Sequence, residues 1–433
     1  VKKIFTTLIL AGLVWNVSGY ITLKEKYGSF VDDGGDPSFW DKSYGFQGII
    51  GTSSRLAPDD TSYLADTLMC WTNETYDGAL YNSHWNTFCR IWYQNNTFGE
   101  TLTDFGSDGL NCEKLFYWDD GTAMNICSNN TETNSTCYIR NIVYRMSSNN
   151  DPENQVYNFT WGNNQFIPQT IEHPNATTFH QLDAKKFRDG NIYLVSWYYT
   201  NCAASNADDG LRGIGFFYNK TNSSWMNWGD ELPNINESNS VYEIALEQDA
   251  NNYTVLMSRS GNAANSAYLY GYSANPWEFP PYMNFSSLYG PQTYLDMIRI
   301  TDGRLVLVWN NFSQFQDRTP SGTPRNYLSL AYLDVGRDSV SVSDWQVLDS
   351  YEMTNASDTR YGITYATASR REGDEYIISW RVDNVTEGNG SIESIIRDSR
   401  YALYDLNTPR SMEVDLISMD FDLSTMTLGG GGS

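Results

Sequence analysis

Four arginines, Arg140, Arg212, Arg325 and Arg400, stand at the start of short apolar segments. A guanidinium is a planar fork that meets a carboxylate through two parallel hydrogen bonds. Several of them on one rim would hold an acidic sugar or another carboxylate. Other segments open on His180, Glu243, Tyr294 with Asp296, and Arg360 with Tyr361. Histidine and glutamate move protons, while a bare tyrosine, with a pKa of ~10, is a poor nucleophile unless a neighbour activates it. His180, Tyr361 and Glu243 are therefore candidate catalytic residues. Arg140, Arg212, Arg325, Arg400, Arg360, Asp296 and Tyr294 are candidate ligand-binding residues. The competing reading is structural: each arginine caps its own segment or pairs with one of the abundant carboxylates, and His180 is a packing residue.

The elements that must position these side chains form a repeat. Gly190–Trp197 reads GNIYLVSW and Gly373–Trp380 reads GDEYIISW. Asp302–Trp309 (DGRLVLVW) and Asp120–Cys127 (DGTAMNIC) are further copies, and Asn252–Ser258 (NYTVLMS) and Tyr63–Trp71 (YLADTLMCW) are weaker ones. The spacing is about 61 residues. An alternating segment precedes the clearest copies, as in Phe179–Phe187 and Tyr294–Ile300, and a second apolar segment follows each one. A strand, an Asp-Gly turn and another strand make a hairpin. The unit is thus a four-stranded antiparallel meander. The expected fold class is all-β, a six-bladed β-propeller of such blades over residues 20–428. A sandwich or solenoid of the same strands is the alternative.

A meander places its 1–2 and 3–4 turns on one face of the disc and its 2–3 and 4–1 connections on the other. The Asp-Gly turns mark the first face. The candidate residues begin strands 1 and 3, so they converge on the opposite, axial mouth.

This pattern resembles the sialidase-like, BNR-repeat propeller superfamily. Met297–Trp309 with Asn310, then Arg325–Asp334 and Trp345, is similar to one of its blades, and Phe179–Trp197 is similar to its first two strands, with a His at the strand start. The superfamily's Asp box is eroded: Asp334 and Gly336 keep its core, and Ser273, Asn275 and Trp277 form another remnant. The resemblance implies a glycan ligand. In sialidases it implies three arginines on a substrate carboxylate, a Tyr nucleophile activated by Glu, and an Asp acid/base. In lyases it implies a His or Tyr base beside a carboxylate neutraliser, for which His180 and Arg212 are the candidates.

Charge and composition narrow the partners. Lys plus Arg is 28 and Asp plus Glu is 52, a formal net charge of −24. Such a chain does not favour nucleic acid or anionic lipid, which attract basic surfaces. Aromatics at 15% and charged residues at only 18% exclude disorder. Lys2 and Lys3 precede an apolar run, Ile4 to Val17, which reads as a signal peptide over 1–19 and is too short to span a bilayer. No membrane span is expected in the mature chain, and 429–433 reads as a Gly/Ser linker. Secretion to the extracellular space or cell surface agrees with an even cysteine count: Cys70, Cys89, Cys112, Cys127, Cys137 and Cys202, up to three disulfides. No C-x-x-C pair, histidine cluster or EF-hand loop occurs, so neither metal nor cofactor is expected. Fifteen N-x-S/T sequons begin at Asn73, Asn95, Asn129, Asn134, Asn158, Asn175, Asn219, Asn222, Asn236, Asn252, Asn284, Asn311, Asn355, Asn384 and Asn389. Three functions follow: an extracellular module binding a glycan or protein, an enzyme on an acidic glycan, or a homo-oligomeric filament or coat subunit joined through the alternating segment Glu413–Leu423.

Overall fold

Period-2 apolar runs broken by glycine turns leave the chain one economical solution, and the computed structural model adopts it. It describes residues 19–29, 52–76, 83–100, 102–106, 110–134, 137–167, 178–199, 211–228, 241–260, 267–273, 283–284, 294–310, 327–336, 339–350, 363–388 and 391–408. The strands run β1 (Tyr20–Ser29), then β2 (Thr52–Arg55), β3 (Thr67–Tyr76), β4 (Ser83–Trp92) and β5 (Leu102–Gly106). Next come β6 (Leu110–Tyr117), β7 (Ala123–Asn134), β8 (Cys137–Ser147) and β9 (Gln165–Phe166). The third meander is β10 (Thr178–Lys186), β11 (Ile192–Tyr199), β12 (Leu211–Asn219) and β13 (Ser224–Asn227). The fourth is β14 (Val241–Gln248), β15 (Thr254–Ser260), β16 (Ala267–Ser273) and β17 (Met283–Asn284). The last are β18 (Asp296–Arg299), β19 (Leu305–Asn310), β20 (Tyr327–Gly336), β21 (Ser339–Ser350), β22 (Ile363–Glu372), β23 (Glu375–Gly388) and β24 (Ser391–Thr408).

The fold is an all-β propeller, but the expected six separate blades are corrected to five sheets. Four sheets have four strands and one has eight. The cause is local. Thr178 at the start of β10 pairs in parallel with Arg140 of β8, and this one bridge fuses β6–β9 with β10–β13. Within each meander, neighbouring strands are antiparallel. The last sheet is completed by the first strand: β1 pairs with β24, so the two ends of the described chain share one sheet. The first strands of the meanders, β2, β6, β10, β14, β18 and β22, neighbour one another in a closed circuit.

The Asp-Gly turns share one geometry. The N–H of Gly121, Gly190 and Gly303 donates to the carbonyl of Trp118, Phe187 and Ile300 respectively. Those three glycines have φ of 74°, 79° and 92°, a region closed to most side chains. The weak copy has Asn252 at the same place, with φ of 65° and its N–H on the Asp249 carbonyl. Asparagine is the residue that best tolerates this region after glycine, so the copy keeps its turn while losing its Asp-Gly signature. Asp120, Asp189 and Asp302 accept the N–H two residues on, which makes them turn residues as the sequence indicates.

Sheets stack through apolar faces. The largest cluster joins β18–β20 to β22–β24 and holds Val306, Val308, Ile378 and Trp380. Trp309 and Trp380, which end their repeat copies, are both buried. The disulfides Cys70–Cys89 and Cys112–Cys127 each join directly opposed residues of adjacent strands in one sheet. The Cys137 side chain and Cys202 lie outside the described residues, as do residues 1–18 of the signal segment, Glu413–Leu423 and the terminal linker.

Candidate functional site at the propeller axis

The innermost strands are tied to one another by buried carboxyls. Lys114 on β6 reaches Asp183 on β10 at 2.9 Å, and the second Asp183 oxygen accepts the N–H of Leu246 on β14 at 3.0 Å. Lys185 on β10 donates to Asp296 on β18 at 2.9 Å and to the Met297 carbonyl at 2.8 Å. The other Asp296 oxygen accepts the N–H of Ala368 on β22 at 3.1 Å. Glu247 on β14 accepts the N–H of Arg299 on β18 at 3.2 Å and that of Gln248 at 2.9 Å. Each carboxyl thus fastens its own strand to the next.

Burial and charge compete at these groups. Desolvation alone would push the Asp183 carboxyl up, but Lys114 and Lys185 beside it hold it below the usual carboxylate range. Burial opposes the charged form of Lys185 too, yet Asp296 and Asp183 raise it. At Glu247 burial wins: its carboxyl is raised despite Lys185 and Arg299.

Beside this network lies a cavity of about 370 Å³. All six innermost strands contribute residues from their second halves: Ser54 and Arg55, Lys114, Lys185 and Lys186, Glu247, Ile298 and Arg299, and Ser369 with Arg370. Arg188, Thr301, Asp59 and Asp60 line it from connections beyond the strand ends. The cavity therefore lies at the Asp-Gly face, the face the sequence argument set aside. Lys186 donates to the Tyr117 carbonyl at 3.0 Å, Arg188 to the Ala250 carbonyl at 3.1 Å and the Asn252 amide at 3.0 Å. Arg299 donates to Gln248 at 3.2 Å, and Arg370 to the carbonyls of Gly373 and Asp59.

The sequence candidates are distributed as follows. Asp296 is fully buried and committed to Lys185 and Ala368, so its place is in the axial network. Tyr294 is buried two residues before it. Arg400 pairs with Asp349 at 2.9 Å, and the same carboxylate accepts the Trp380 indole N–H at 2.8 Å. His180 is the third residue of β10 and faces Trp197 across the pair. Glu243 is the third residue of β14. Arg140 lies in β8 opposite Thr178, and Arg212 in β12 opposite Tyr198. The side chains of His180, Glu243, Arg140 and Arg212 lie outside the described residues, as do Arg325, Arg360 and Tyr361 altogether. Of the sequons, Asn95, Asn222 and Asn252 are exposed and lie in turns; Asn158 donates its amide to the Ser148 carbonyl.

Lys114, Asp183, Lys185 and Glu247 are the functional-looking residues that sequence reasoning missed. Their signal was present. An innermost strand buried on both faces ought to read as continuous apolar residues, yet Asp183 and Lys185 interrupt theirs at spacing two.

No protein-family model matches this chain. No curated protein matches it either. Among solved structures, a protein of unknown function from Dyadobacter fermentans is similar at a TM-score of 0.59 and 10% identity, covering 89% of this chain and 99% of that one. Trypanosoma rangeli sialidase in complex with sialic acid is similar at a TM-score of 0.50 and 10% identity, over 85% of this chain and 55% of the sialidase. At such identities the likeness is one of fold, a β-propeller shared with a sialidase.

Proposed function

We propose that this protein is a secreted, N-glycosylated propeller that recognises an acidic glycan at the axial mouth opposite the Asp-Gly turns. One observation carries the reading: the adjoining innermost strands β10 and β14 both begin at that mouth, with His180 and Glu243 each in third position. Tyr294 precedes the next innermost strand at the same end. The likeness in fold to a sialidase supports a sugar as ligand. The leader over 1–19 and the sequons belong to this reading, and two disulfides support an oxidising compartment.

The test is a panel of uronate- and sialate-bearing oligosaccharides assayed for binding and for turnover. Binding that His180→Ala and Glu243→Gln weaken by about tenfold or more supports a recognition site. An enzyme on the same ligands is the second reading, favoured by a histidine and a carboxyl on neighbouring strands. It predicts turnover that falls about 10²-fold or more in either variant. No binding to any acidic glycan, or binding indifferent to both substitutions, removes the proposal.

A further inference from the structure

The cavity at the Asp-Gly face carries charge opposite in sign to the chain around it. The whole chain is at −24, yet seven cationic side chains line this cavity against three carboxyls. Two of the seven, Lys114 and Lys185, are neutralised from behind by Asp183 and Asp296. Lys186, Arg188, Arg299 and Arg370 donate hydrogen bonds to carbonyl or amide oxygens. A neutral acceptor fixes a cation in place without cancelling its charge. Asp59 and Asp60 are exposed, where water screens them, and Asp59 stands 3.7 Å from Lys186. Burial raises the Glu247 carboxyl against the opposing pull of Lys185 and Arg299.

We propose that this cavity is a second binding site, for a compact oxyanion, a carboxylate or sulfate carried on a sugar-sized molecule, held by Lys186, Arg188, Arg299 and Arg370. The volume of about 370 Å³ falls within the range of small-ligand sites. Three guanidiniums already oriented by neutral acceptors, backbone carbonyls for Arg188 and Arg370 and the Gln248 side-chain amide for Arg299, offer their remaining N–H groups at little further entropic cost. The site sits at the opposite end of the axis from His180 and Glu243, so it does not depend on the glycan reading above.

The experiment is calorimetric titration of the full chain at low salt with glucuronic acid, sodium sulfate and glucose. Glucuronic acid binds and glucose does not. Raising salt to 0.5 M weakens binding, and Arg188→Ala with Arg299→Ala weakens it by about tenfold or more. Lys220→Ala, a surface cation outside the cavity, leaves it unchanged. Circular dichroism and a thermal melt of the double variant establish that it is folded, and Lys186→Ala is the replacement if it is not. Sulfate binding without glucuronic acid binding overturns the sugar-sized ligand. Glucose binding as well as the acid, equal binding by the folded variants, or no heat with any anion overturns the site.

Discussion

The first two meanders and the later ones are held by different means. In β2–β5 and β6–β9 a disulfide crosses directly opposed positions of neighbouring strands, Cys70 to Cys89 and Cys112 to Cys127. These bonds stiffen a single blade. Among the described residues of β10–β24 the comparable roles fall to buried charge: Lys185 with Asp296 joins β10 to β18, and Asp183 reaches Leu246 on β14. Those links run between blades. A covalent bond acts chiefly by limiting the unfolded chain, whereas a buried ion pair acts in the folded state alone. The two halves should therefore fail differently.

The largest effect is expected at the axial network. Asp296→Ala removes the ion-pair partner of the buried Lys185 ammonium and leaves the Met297 carbonyl as its hydrogen-bond acceptor, with Asp183 nearby. Breaking one partner of such a pair costs about 3–5 kcal/mol. A chemical denaturation curve should show this loss, and a loss under 1 kcal/mol would mean that the pair is solvated and the inter-blade link unimportant. Replacing both Lys185 and Asp296 by Met should recover a good part of it, because volume is kept and no lone charge remains.

Removing a disulfide comes next. Cys70→Ala with Cys89→Ala opens a loop with a sequence separation of 19 residues, for which loop-closure entropy gives about 3 kcal/mol. The loss should appear equally when reducing agent acts on a Cys112→Ala, Cys127→Ala background, in which the second described disulfide is already absent. If reduction and the double variant disagree by more than about 1 kcal/mol, packing around the buried Cys70 and Cys89 rather than chain entropy governs this half.

The pH dependence separates the halves further, since disulfides do not titrate below neutrality. Asp183 has a lowered carboxyl pKa in the folded state. Its stabilisation is complete above the unfolded value of about 4 and disappears as pH falls through the lower folded one. Lys185 is raised, so its contribution is complete below the unfolded value of about 10.4 and is lost as pH rises through the folded one. Melting temperatures between pH 2.5 and 5 should fall steeply for the native chain and less steeply for Asp183→Asn, whose melting point is lower at pH 7. Parallel acid limbs would show that another carboxyl controls acid unfolding.

Much of this fold was legible because its signals are local. Gly-to-Trp copies located β11, β19 and β23, and even the eroded NYTVLMS copy is a true hairpin, since Asn252 takes the left-handed place of glycine. What was not legible depends on contacts between distant segments. Nothing in Thr178 or Arg140 announces the parallel bridge that makes five sheets out of the expected six. Asp296 was singled out by position as ligand-binding, and only the placement of Lys185, 111 residues away in sequence, reveals a buried structural partner. The basic cavity was missed for the same reason: its cations come from five separate strands and one connection, each of which carries one or two.

The finest distinction concerns two turns that look identical in sequence. Gly190 and Gly303 both follow an Asp in a strand–turn–strand copy and both have positive φ. A Cβ on Gly190 meets nothing within 4 Å, so Gly190→Ala costs only the backbone strain, about 1 kcal/mol. A Cβ on Gly303 lies 2.6 Å from the Ala250 side chain and 2.9 Å from its backbone, in the neighbouring blade's turn. Gly303→Ala must therefore move one turn against the other and should cost clearly more, by about a further 1–3 kcal/mol. Because the overlap involves backbone, Ala250→Gly should relieve part of the penalty. Parity of the two variants would show that the turns of adjacent blades slide freely, and that the inter-blade rigidity assigned to the ion pairs at the axis does not extend to the rim of the cavity.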